Sequence, residues 1–146
     1  MSVIAQRYPA VVIHGFADAR AVLSVGAPVT LLSAEAAALY AGSGWWRMLI
    51  AQATAGYPDA GCDDILDCAD ASGLALGALR IGLRRIVLHP SASGWDRVAA
   101  TAASLGGLVL AERPPALDMA QPGAARRLHD WLRVRTTPGD SDNGLG

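Results

Sequence analysis

The sequence predicts an α/β domain on a mostly parallel sheet, and two repeated patterns carry that expectation. The chain reads L-S-V-G-A-P-V-T-L-L-S from Leu23 and L-R-I-G-L-R-R-I-V-L-H from Leu79. In both, a helical stretch stops at a glycine, Gly26 or Gly82, and an apolar β-branched run follows. Upstream of each stands the same Ala-Asp-Ala triplet, at 17–19 and 69–71, itself preceded by a short apolar run. Strand, turn, helix, glycine and strand are therefore written twice, which is how parallel strands are joined by a helical crossover.

Taken in order, Ala10 to Phe16 is short, apolar and β-branched and reads as the first strand. A continuous apolar run suits a strand buried on both faces, as parallel sheets require. Asp18 is placed to cap the following helix, which ends at Gly26. Pro28 opens a second strand, Val29 to Leu32. Ser33 is placed to cap a helix through Ala41, and a second helix runs from Ser43 to Ala55 with Trp45 and Trp46 in its first turn. The third strand is Asp64 to Cys68, followed by a helix through Ile81 capped by Asp70 or Ser72. The fourth is Arg85 to His89, then a helix from Trp95 to Leu105. The fifth is Leu108 to Ala111, stopped by Arg113-Pro114-Pro115. A last helix covers Ala124 to Val134, with Leu128, Trp131 and Leu132 on one face and arginines on the other.

The expectation is one domain over residues 1–135, with about five strands and helical crossovers. Residues 136–146 lack apolar content and are expected to be a disordered tail. Two arrangements fit. One is an open three-layer sheet with helices on both faces. The other is a piece of a β/α barrel with its strands in serial order, since closing eight strands takes about 200 residues or more. The open sheet is preferred. The repeated phrases resemble units of many α/β and barrel proteins, phosphosugar enzymes among them, and single out no one family.

Composition excludes several functions. All 12 basic residues are arginine, so a lysine Schiff base, a P-loop lysine and a lysine-bound pyridoxal cofactor are ruled out. Net charge is −1, which leaves no broad basic field for nucleic acid. No apolar run is long enough for a membrane span, no leader pattern opens the chain, and the cytoplasm is the expected compartment. Cys62 and Cys68 form neither a C-x-x-C pair nor a disulfide framework. Charged residues make up only 17% of the chain, which favours a homo-oligomer hiding part of its surface. Adjacent tryptophans sit about 100° apart on a helix, so Trp45 and Trp46 cannot both face the core. One of them is free for a second copy of the chain.

In a parallel sheet, ligands bind beyond the carboxyl ends of the strands. That edge collects His14, Asp67 and His89, the candidate catalytic residues. The turn Ser91-Ala92-Ser93-Gly94 opens a helix near Arg113, so Ser91, Ser93, Gly94 and Arg113 are candidates for holding a small anion. Capping accounts for most of the Asp and Ser residues at such turns, but not for two histidines and Asp67. A metal shell of His14, His89 and Asp67 lacks any short ligand spacing, and no metal or cofactor is expected. The sequence thus suggests a small-molecule or anion site at the strand ends. The alternatives are a lyase- or isomerase-type enzyme using His/Asp acid–base chemistry, and a non-catalytic interaction module.

Overall fold

The computed structural model describes residues 8–135; the expected tail, 136–146, lies outside the described residues. The elements in chain order are β1 (Ala10–Val12), α1 (Phe16–Leu23), β2 (Val29–Leu32), α2 (Ala37–Tyr40), α3 (Ser43–Ala55) and β3 (Cys62–Asp67). They continue with α4 (Ser72–Arg80), β4 (Arg85–Val87), α5 (Trp95–Ser104), β5 (Leu108–Leu110), β6 (Ala116–Asp118) and α6 (Ala124–Arg135). Every strand pair is parallel, and the sheet order is β5-β4-β3-β2-β1-β6. The fold is a single α/β domain with helical crossovers, and its sheet is open. Gly26 and Gly82 take φ of 86° and 108°, the left-handed backbone that ends the helices of both repeated phrases.

Strands β1 to β5 lie side by side in serial order, the order attached to the barrel-piece arrangement. When each step goes the same way, right-handed crossovers send their helices to the same face. Accordingly α1 packs on α3, α3 on α4 and α4 on α5. Their buried side chains share one core with Val11, Leu31, Leu66 and Ile86 from the sheet. The other face carries a second cluster of strand residues: Val12, Leu32, Ile65 and Val87, with Leu110 and Ala116 packed against it. Among the described residues, no helical side chain joins that second cluster.

Curvature explains how that face stays dry without helices. β5 and β6 are the two edges of the sheet, yet only residues 111–115 connect them. The steps from Leu110 to Ala116 span about 22 Å at full stretch. The edges of a flat six-stranded sheet stand about 24 Å apart, before any return along the strand is added. The sheet therefore has to curl around its second cluster, and the 111–115 link roofs the carboxyl-terminal rim.

The sixth strand, β6, is absent from the sequence reading. It is three residues long and follows two prolines, so it shows no periodicity of its own. The helix caps also fall elsewhere. Asp18 lies inside α1 and accepts the His14 backbone N–H at 2.8 Å. Ser33 accepts the Asp67 N–H at 2.9 Å and donates to the Ala34 carbonyl. Ser72 donates to the Ser93 carbonyl. Two of these hydroxyls thus join neighbouring segments of the rim instead of capping helices. Trp46 is fully buried, with its Nε1 2.9 Å from Asp64 Oδ2, while Trp45 is 38% exposed.

Candidate functional site

β3 delivers Asp67 to the rim because residues alternate along a strand: Leu66 and Cys68 face the helices, Ile65 and Asp67 the concave side. Asp67 is 3% exposed and fully engaged. Its Oδ1 accepts the Ala69 N–H at 2.8 Å, and its Oδ2 accepts Arg113 Nη1 at 2.7 Å. Arg113 Nη2 donates to the Ser33 carbonyl at 3.0 Å. The guanidinium fork thereby pins the 111–115 link to the ends of β2 and β3. A carboxylate this buried requires such a partner.

His89, exposed just past β4, works differently. The Ser91 backbone N–H lies 3.1 Å from Nδ1, and the Ser91 hydroxyl lies 2.7 Å from it. A backbone N–H can only donate, so Nδ1 is the acceptor and the neutral ring carries its proton on Nε2. Ser91 thus fixes the imidazole as a hydrogen-bond donor. Asp67, committed to Arg113 and Ala69, does not orient this histidine.

Asp67, His89, Ser91 and Arg113 line one cleft of about 810 Å³. Glu35, Asp70 and Glu112 complete its charged wall, giving four carboxylates against one guanidinium that is already paired with Asp67. Ala36 and Ala69 also line it, with φ of 58° and 52°. Among the described residues these are the non-glycine positions in left-handed backbone. Such strain gathers where the surrounding structure holds a site in shape.

His14 is not among the residues lining that cleft. It stands past the end of β1 with Nε2 2.7 Å from Asp118 Oδ1, at the end of β6. Burial works to raise the Asp118 carboxyl. The Ala120 N–H and the His14 hydrogen bond, with the charges of His14 and Arg113, outweigh it and hold the group below its ordinary value. An ionised carboxylate only accepts, so His14 Nε2 is the donor. The rim thus carries two polar pairs, Asp67–Arg113 and His14–Asp118, and the charge of Arg113 also favours ionised Asp118. Ser93 and Gly94 lie beside the cleft: Ser93 offers its carbonyl to Ser72, and Gly94 borders a smaller hollow.

Burial, followed by the nearby carboxylates, pushes both Cys62 and Cys68 up to about 12, so neither thiol is poised as a nucleophile. Among the described residues, no three His, Cys, Asp or Glu side chains gather as metal ligands do. None of the described helices is long and apolar enough to cross a membrane.

Asp118 and Glu35 escaped the sequence reading. A usable signal for Asp118 was present: Ile65-Leu66-Asp67 and Ala116-Leu117-Asp118 both end an apolar step in Leu-Asp, and both aspartates reach the same rim. Glu35 gave no comparable cue. No family model matches the chain, and no curated protein matches it either.

Proposed function

We propose that this protein binds a small polar molecule in the cleft at the carboxyl ends of β3, β4 and β5. The observation that carries this reading is the shared placement of the Asp67–Arg113 pair and His89 in one cleft of about 810 Å³. That volume lies within the common range for small-molecule sites. Asp67 and Arg113 form a rigid wall, and His89 presents an Nε2 donor. The excess of carboxylates favours a neutral or positively charged ligand over the anion suggested by the turn at residues 91–94. Asp96, in the first turn of α5, adds negative charge at the same helix start.

Acid–base catalysis of the lyase or isomerase kind is less well supported. It needs a ring nitrogen able to accept a proton, and Ser91 already occupies that nitrogen in His89. A cytoplasmic location and self-association complete the proposal. Self-association is supported by the low charge content and by Leu39, Tyr40, Trp45 and Met48, all exposed around α2 and α3.

Proton–nitrogen NMR of the His89 ring tests the cleft during titration with ethylamine, glycerol and inorganic phosphate. Ethylamine or glycerol should move the His89 resonances, with phosphate weakest, and titration calorimetry of His89→Ala should show binding abolished while the melting temperature stays nearly unchanged. No response to any probe, or phosphate as the strongest, overturns the reading.

A further inference from the structure

Beside the cleft lies a second hollow of about 440 Å³, and the two share Pro90 and Ala111 as a common wall. The second hollow is bordered by Trp95, Ala92 and Gly94, with Asp96 at its edge. Trp95 is half-buried, and its Nε1 donates to the Leu88 carbonyl at 3.0 Å. That bond holds the indole in place. Polar, carboxylate-rich space therefore adjoins space walled by an immobilised aromatic ring and small residues.

We propose that the two hollows form one groove for a two-part ligand: a protonated amine in the carboxylate-walled cleft, joined to a flat apolar group against Trp95. This deepens the small-molecule reading above and rests on it. A fixed indole offers a large apolar contact at little entropic cost, and an excess of carboxylates attracts a cation. A carboxylate-bearing analogue of the same shape meets Glu112 and Asp70 on one side and Asp96 on the other. The groove thus selects by charge as well as by shape.

Titration calorimetry with 2-phenylethylamine, ethylamine and phenylacetate reads out both halves. Phenylethylamine should bind at least about tenfold more tightly than either of the others, the scale expected when one aromatic contact is added. Trp95→Leu should erase that advantage and leave ethylamine unchanged. Because Trp95 also contributes to the fold, Ala111→Leu provides a second test. Ala111 is exposed at the junction, and a larger side chain there fills it, so the advantage of phenylethylamine over ethylamine should shrink. Phenylacetate binding as well as phenylethylamine overturns the proposal, as does a ring advantage that survives both substitutions. If ethylamine moves the His89 resonances but the ring adds nothing, the groove fails and the cleft stands. If no probe moves them, both fail.

Discussion

Arg113 Nη1 lies 2.7 Å from Asp67 Oδ2, and this contact ties the 111–115 link between the sheet's two edges to the end of its third strand. The carboxylate is 4% exposed and the guanidinium 26%, so the pair is shielded on one side only.

Removing either partner alone should therefore be costly. Arg113→Met leaves a buried carboxylate with its Ala69 N–H as the remaining partner and should destabilise by about 3 kcal/mol. Asp67→Asn keeps the shape and loses the charge, with a smaller loss. The double substitution should recover part of the combined cost, as expected for residues in direct contact. Urea denaturation of the four proteins measures the coupling. Additive losses would mean that the pair does not act as a unit.

Asp118 makes a pH-dependent contribution. Its folded pKa lies below the ordinary 3.8, so the folded state binds this proton less readily than the unfolded chain does. The stabilisation is complete well above pH 3.8 and is lost as pH falls through the lower folded value. Asp118→Asn should be less stable than the parent at pH 7 by about 0.5 kcal/mol, the scale of a solvent-screened pair. The gap should close toward pH 2 in denaturation curves taken across that range. A constant gap would assign the effect to packing.

Ala69 stores backbone strain at the cleft. Left-handed backbone costs an alanine roughly 1–2 kcal/mol, and glycine avoids most of that cost. Glycine also loses more freedom on folding, by roughly 0.5–1 kcal/mol. Ala69→Gly should thus raise stability by about 0.5 kcal/mol. Because the Ala69 N–H and carbonyl hold Asp67 and the His89 backbone, ligand binding should weaken at the same time. Thermal melts and the NMR titration together check this.

Trp45 should matter for assembly and Trp46 for folding. Trp45→Ala should leave the melting temperature near the parent value and shift sedimentation toward the monomer. Trp46→Ala, at a fully buried site, should cost about 3–5 kcal/mol. A parent protein that already sediments as a monomer would remove the assembly reading.

The class of fold was legible because local chemistry writes it down. Gly26 and Gly82 end the helices before them, and the β-branched or apolar runs Val29–Leu32 and Ile86–Leu88 follow. Parallel pairing then sends His14, Asp67 and His89 to one rim. Which of them share a cleft is decided by strand order and curl, and both depend on contacts between distant segments. Asp67 meets Arg113 across 46 residues of chain, and His14 meets Asp118 across 104. β6 escaped because Ala116–Asp118 is too short to show a period, and with it went the partner of His14.

The brevity of residues 111–115 makes them a bowstring. A protease cut there would leave every strand ladder intact while removing what draws the two rims of the bow together. The apolar plug of Val12, Leu32, Ile65 and Val87 would then meet water along an unbuttressed seam. Arg113, seated midway along the string, is the knot that sets its tension.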